Sequence, residues 1–241
     1  MKYKTAFVSD FHLGTPVSQV DKILDFLKNN EFEKIYLIGD IIDMIAMKKH
    51  FLWNTNHNTV IQKILRLARK NSEIVYIYGN HDYFLELFNS EIFGNIKITE
   101  REIYTTVSGK KMLIFHGHQM DGIIKDMTWL YNLGDSAYTF ALSLNSIVNK
   151  LRSLFGLKYW SLSMYLKSKV KNIIKFVNNF EKLVVEEAEK SKVDIVVCGH
   201  IHMSADKEIG NIRYINTGCW TETCSALVEH FDGTLELIDN I

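Results

Sequence analysis

The most regular feature of the chain is a set of short apolar runs that each end in a side chain able to bind metal. Residues 4–9 lead to Asp10, 34–39 to Asp40, 74–79 to Asn80, 112–115 to His116, and 195–199 to His200. Each run has the length and the Val/Ile/Tyr content of a buried strand. Helical periodicity lies between them: Val20, Ile23, Leu24 and Leu27 share one face, and Ile61, Ile64, Leu65 and Ala68 another. β-like runs close the chain near 212–216, 225–231 and 234–238, with Asp232-Gly233 as a hairpin turn between the last two. In open α/β sheets, ligands sit outside the strand carboxyl ends. One layout therefore gathers all five polar groups in one crevice.

The stretch 122–192 breaks this alternation. It reads as helical throughout and is rich in Leu, Tyr, Phe and Trp. Leu166, Val170, Ile173, Val177, Phe180 and Val184 follow a three-four spacing. The stretch is expected to be a helical insertion forming a lid over the strand ends; the alternative is helix packing on the outer face of a sheet. With one proline, Pro16, and no Ser/Gly-rich linker, residues 1–241 read as one domain containing that insertion.

Apolar residues make up 47% of the 241, enough for a full core. Acidic and basic residues balance at 28 each, which argues against a general nucleic-acid binder. Three cysteines without framework spacing, Cys198, Cys219 and Cys224, fit a reducing compartment. No apolar run approaches the ~20 residues of a spanning helix. A cytoplasmic protein is expected, with peripheral contact to a membrane as an option. Cys219, after the strand ending near 216, reads either as a buried thiol or as a redox-sensitive neighbour of the crevice.

The full donor set is Asp10, His12, Asp40, Asn80, His116, His200 and His202. Oxygen and imidazole donors without thiolates suit Mn²⁺ first, with Fe²⁺, Zn²⁺ or Mg²⁺ as alternatives. Seven donors exceed one tetrahedral site with an open position. They suffice for two divalent ions sharing a carboxylate, and Asp40, alone after its strand, is the natural bridge. Such a pair lowers the pKa of a shared water and clamps attacking and leaving oxygens.

The order Asp10-Phe11-His12, Gly39-Asp40, Gly79-Asn80-His81-Asp82, His116-Gly117-His118 and Gly199-His200-Ile201-His202 resembles the calcineurin-like metallophosphoesterase superfamily. The resemblance implies an α/β fold of two mixed β-sheets packed as a sandwich and flanked by helices, an αββα arrangement. It implies Asp10, His12, Asp40 and His202 on one ion, and Asp40, Asn80, His116 and His200 on the other, with a metal-activated water as nucleophile. His81 is then expected to orient the phosphoryl group or protonate the leaving oxygen. Asp82 is expected either to hold the His81 ring or to cap the helix that follows.

Gly39-Asp40-Ile41-Ile42-Asp43, His57-Asn58, the stretch 159–163 and the stretch 220–230 are similar to the UDP-2,3-diacylglucosamine hydrolase-like branch of that superfamily. That resemblance implies a nucleotide-linked lipid pyrophosphate as substrate, with acyl chains held by the insertion. His81 departs from the Arg typical of true hydrolases. Lys167, Lys171, His57 and Asn58 are expected substrate contacts; a solvated helix face is the alternative for the lysines. Soluble nucleotides and other phosphoesters form a second substrate class, and a non-catalytic binding module a third reading.

Overall fold

A computed structural model describes residues 1–121 and 162–241, the side chains of the latter from 173 onward. The chain divides into two compact units. The first joins Met1–Gln119 to Val184–Ile241, and the second is Met120–Leu183.

The first unit holds two mixed β-sheets. The strands are β1 (Lys2–Val8), β2 (Glu31–Ile38), β3 (Glu73–Ile77), β4 (Ile92–Phe93), β5 (Ile96–Thr99), β6 (Arg101–Thr105), β7 (Lys111–Phe115), β8 (Ile195–Cys198), β9 (Ala205–Ile209), β10 (Ile212–Asn216), β11 (Ala226–Glu229) and β12 (Leu235–Ile238). The larger sheet runs β12-β11-β1-β2-β3-β5-β4 and the smaller β6-β7-β8-β10-β9. β1, β2, β3 and β5 are parallel neighbours, as are β7, β8 and β10. The remaining pairs are antiparallel. The expected hairpin joins β11 to β12, and Asp232 accepts the Thr234 N–H at 2.9 Å to shape its turn.

Period-two alternation assigns the two faces of the larger sheet. Phe7, Tyr36, Ile38, Val75 and Ile77 pack with Met112, Ile114, Ile195, Val197 and Ile215 of the smaller sheet. The opposite face carries Val8, Ile35, Leu37 and Ile74. These pack beneath α1 (Val20–Asn29) and α3 (Thr55–Arg69), with the short α2 (Met44–Lys49) between them in sequence. Each buried Ile, Val, Leu or Phe contributes about 1.5–3 kcal/mol. On the smaller sheet, Arg101 of β6 pairs with Glu187 at 2.7 Å, in the last turns of the helix Leu162–Lys190. Two mixed sheets with flanking helices are the α/β architecture that the sequence resemblance implies.

Two phases differ from the periodicity reading. In α3 the buried stripe is His57, Val60, Ile64, Leu67 and Ala68, whereas Leu65 is exposed. One residue is 100° of helical turn, so Leu65 beside Ile64 faces away from the sheet. In the long helix, Phe176, Phe180, Val184 and Val185 are buried, Val177 is half-buried and Ile173 is exposed. Residues 122–161 lie outside the described residues, as do the side chains of Leu166 and Val170, so the lid expectation falls mostly outside them.

A buried carboxylate ties the sheets together. Glu229 of β11 accepts from Tyr104 of β6, from the Val107 N–H at 2.7 Å and from Thr5 at 3.2 Å. Removing one donor from a buried charge leaves part of it unsolvated. Tyr104→Phe is expected to destabilise the protein by about 1–3 kcal/mol, read as a lower urea midpoint. An unchanged midpoint would show that this contact does not hold the sheets together.

Candidate metal centre

The donors come from both sheets. Asp10 and His12 follow β1, Asp40 follows β2 and Asn80 follows β3 in the larger sheet; His116 follows β7, and His200 and His202 follow β8, in the smaller. Pairing continues beyond the strand ends through loop backbone. Asp10 donates its N–H to Gly39, His12 to Asp40 and Leu13 to Ile41, at 2.9–3.0 Å. Gly199 donates to His116 at 3.0 Å in the other sheet.

Local conformation aims these side chains inward. Asp10, His12, Asp40, His200 and His202 all have positive φ, between 47° and 73°. L-residues occupy that region at a cost, and such positions collect at functional sites. Space is made by missing Cβ atoms. A Cβ on Gly79 would sit 2.2 Å from Asp40 Oδ1, and one on Gly199 would sit 2.5 Å from Asp10 Oδ2. Gly39, at φ +72°, lies against the His116 ring, where a Cβ would come within 2.4 Å. The glycines preceding Asp40, Asn80 and His200 are therefore steric requirements of the centre.

Each carboxylate has one oxygen pinned and one presented. Asp10 Oδ2 accepts the His200 N–H at 3.1 Å, and Asp40 Oδ1 accepts the His81 N–H at 2.7 Å. Asp10 Oδ1 then faces His202 Nε2 at 3.2 Å and His12 Nε2 at 3.7 Å. Asp40 Oδ2 faces His116 Nε2 at 3.2 Å, His12 Nε2 at 3.9 Å and His81 Nε2 at 3.9 Å. Asp10, His12 and His202 can converge on one ion, and Asp40, His116 and His200 on another. Asp40 Oδ2 lies within reach of a ring from each group.

The residues fit divalent cations. Asp10 Oδ1, Asn80 Oδ1 and His116 Nε2 are buried without a hydrogen-bond partner among the described residues. His116 Nδ1 donates to the Ile38 carbonyl at 2.8 Å, which turns the Nε2 lone pair toward Asp40. His12 Nε2 and His202 Nε2 stand 3.2 Å apart, a distance that requires a proton or a cation between them.

Burial opposes charge on Asp10, Asp40, His12, His116 and His202, and the opposite charges outweigh it. Asp40 is lowered to about 2, despite burial, chiefly by His116. Asp10 is held well below the usual carboxylate range, against its burial, by His202 and His116. His12 rises to about 9 against its burial, through Asp10 and Asp43. His116 rises to about 9 through Asp40 and Asp10, and His202 to about 11 through Asp10, again against burial.

Two residues behave differently from expectation. Asp82 neither holds the His81 ring nor caps the following 3₁₀ turn with its side chain. It accepts from the Gly79 N–H at 2.6 Å, the Ile41 N–H at 2.9 Å and Tyr76 Oη at 2.7 Å. Its role is to bind the loop after β2 to the loop after β3. Asp43 stands beside the histidines instead, and reading by strand ends missed it. Asp43 Oδ2 is 2.9 Å from His12 Nδ1 and Oδ1 is 2.8 Å from His81 Nδ1, while the same carboxylate caps α2 through the Ala46 N–H at 2.7 Å. The His81 contact is off the N–H line and forms no hydrogen bond. The signal was its spacing three residues after Asp40 in Asp40-Ile41-Ile42-Asp43.

The expected substrate contacts are dispersed. His57 is buried and forms a capping box with Asn54 at the start of α3; Asn58 is exposed on the next position. Lys167 and Lys171 fall within the helix Leu162–Lys190, with side chains outside the described residues. Cys219 is a buried free thiol, lowered to about 7 despite its burial by His202 and Thr221.

The calcineurin-like phosphoesterase family model matches residues 3–204, and the chain belongs to that family of metal-dependent phosphoester hydrolases. It is 24% identical to a UDP-2,3-diacylglucosamine hydrolase of Blochmanniella pennsylvanica over 238 residues, covering 90% of this chain and 88% of that one. It is 25% identical over 252 residues to a DNA polymerase II small subunit of Methanothermobacter thermautotrophicus, covering 90% of this chain and 47% of that one. Vacuolar protein sorting 29 of Cryptosporidium parvum matches at 10% identity with a TM-score of 0.49, covering 98% of this chain and 95% of that chain.

The raised histidines set a pH dependence for the metal-free protein. A pKa raised above 6.5 contributes stability fully present below that value and lost as pH rises through 9 to 11. A bound cation requires neutral rings and reverses this. Calorimetry is expected to show the EDTA-treated protein losing Tm from pH 7 to 10, with the Mn²⁺-induced rise in Tm widening over pH 6 to 9. A metal effect independent of pH would contradict the assignment of His12, His116 and His202.

Proposed function

We propose that this phosphoesterase hydrolyses a phosphoester or pyrophosphate bond in a nucleotide-linked lipid of the UDP-2,3-diacylglucosamine type, with two Mn²⁺ ions, at the cytoplasmic face of a membrane. The observation that supports the chemistry is Asp40 Oδ2 lying 3.2 Å from His116 Nε2 of one convergent donor group and 3.9 Å from His12 Nε2 of the other. The substrate class rests on two curated relatives that bear the hydrolase name at 24% identity. No helix among the described residues is long and apolar enough to cross a membrane.

Asp10, His12, Asp40 and His202 would hold one ion, and Asp40, Asn80, His116 and His200 the other. When bound, such a pair lowers the pKa of water and neutralises charge on the phosphoryl oxygens. The chain's own groups do the rest. Asp43 keeps the His12 proton on Nδ1 and thereby the Nε2 lone pair toward the metals. The same carboxylate lies 2.8 Å from His81 Nδ1 and positions the ring with Nε2 on the Asp40 side, facing a leaving oxygen. Asp82 fixes the backbone from which His81 and Asp40 project. Soluble nucleotides are the second reading, favoured by His81 standing where true hydrolases carry Arg.

The Mn²⁺-loaded protein should be assayed on UDP-2,3-diacylglucosamine, on bis-p-nitrophenyl phosphate and on a nucleotide panel. Preference for the lipid substrate in kcat/KM is expected; cleavage confined to soluble esters would contradict it. Asp40→Ala is expected to abolish turnover of every substrate. Asp43→Asn is expected to lower kcat roughly 10–100-fold while both metal ions stay bound. An unchanged kcat would remove Asp43 from the mechanism.

A further inference from the structure

We propose that the cleft between the N-termini of α1 and α3 is the subsite for the nucleoside part of the substrate. This rests on the nucleotide-linked reading above and extends it to residues outside the metal centre.

The cleft has a volume of about 320 Å³, at the lower end of small-molecule sites. Thr15, Gln19, Leu52, Asn54, Asn56 and His57 line it. It opens at the end of the larger sheet that carries the donors, because α1 follows β1 and α3 follows β2. Thr15 donates to the His12 carbonyl through its N–H at 3.2 Å and its hydroxyl at 2.8 Å. The loop presenting His12 is thus also a wall of the cleft.

What remains after internal bonding defines the ligand. Asn54 Oδ1 accepts the Asn56 and His57 N–H groups, and the Asn54 amide N–H has no partner among the described residues. His57 Nδ1 accepts the Asn54 N–H at 3.4 Å, so the neutral ring carries its proton on Nε2; the residue is 2% exposed. Asn56 Nδ2 donates to Asp21, leaving Asn56 Oδ1, and Gln19 Nε2 donates to the Thr221 and Glu222 carbonyls, leaving Gln19 Oε1. Two donors and two acceptors thus remain on residues that line the cleft, beside the apolar Leu52 and Val20. The charges on the lining, Asp21 and Lys22, are one of each sign. A phosphate requires donors and positive charge, and an acyl chain requires neither donors nor acceptors. A nucleobase and its ribose present alternating N–H, C=O and O–H groups on rigid rings, which this lining satisfies.

Uridine carries neither a phosphate nor a lipid, so its binding is read apart from hydrolysis. It should be titrated into the ¹⁵N-labelled, metal-free full chain. Saturable amide shifts are expected at residues 15–22 and 52–57, with inorganic phosphate and glucosamine leaving those amides in place. Asn56→Leu, at an exposed residue whose amide nitrogen reaches Asp21, is expected to weaken uridine at least tenfold. Gln19→Leu gives a second test if that variant folds poorly. No saturation by uridine, equal affinity in a folded variant, or the same shifts with glucosamine would overturn the proposal. Cleavage of the nucleotide-linked lipid without uridine binding at the cleft would overturn the subsite alone; uridine binding without that cleavage would overturn the lipid reading alone.

Discussion

The structure is organised around two buried carboxylates, Asp10 and Asp40, each with one oxygen held by a backbone N–H and the other turned toward imidazole nitrogens. So many electron-rich atoms within a few ångströms are mutually repulsive unless positive charge lies among them. Without metal, the histidines supply that charge by holding protons to unusually high pH. With metal, the cations replace the protons. The centre is therefore stable in either state, and its affinity for metal is coupled to pH.

The rest of the fold serves this arrangement. Parallel strands bring Asp10, Asp40 and Asn80 to one end of the larger sheet, and His116 and His200 to one end of the smaller. The sandwich core and the Glu229 contacts hold the two sheet ends in register. Left-handed backbone at five donor positions and missing Cβ atoms at Gly39, Gly79 and Gly199 remove the remaining steric obstacles. The strain at those residues is offset by packing elsewhere in the core.

Much of this was legible in the sequence because strand carboxyl ends carry a simple signature: an apolar run, often a glycine, then a donor. The seven candidate donors followed from that signature, and the two-sheet class from the family resemblance. Asp43 and Asp82 were harder because their roles depend on which loop packs beside which. Both follow a donor by a few residues, and only the tertiary arrangement decides that Asp43 meets His12 and His81 while Asp82 meets backbone amides. Short edge strands such as β4, and β9 with its exposed charged middle, have too little apolar pattern to be read from sequence. The phase of α3 was misjudged at Leu65 because adjacent apolar residues do not reveal which of them faces the sheet.

The central claim is that two cations share Asp40. Electron paramagnetic resonance of the Mn²⁺-saturated protein, with metal content measured in parallel, tests it most directly. The account predicts two Mn²⁺ per chain with an exchange-coupled spectrum, and loss of that coupling in Asp40→Ala. A single ion per chain, or two that remain magnetically isolated in the unaltered protein, would contradict it.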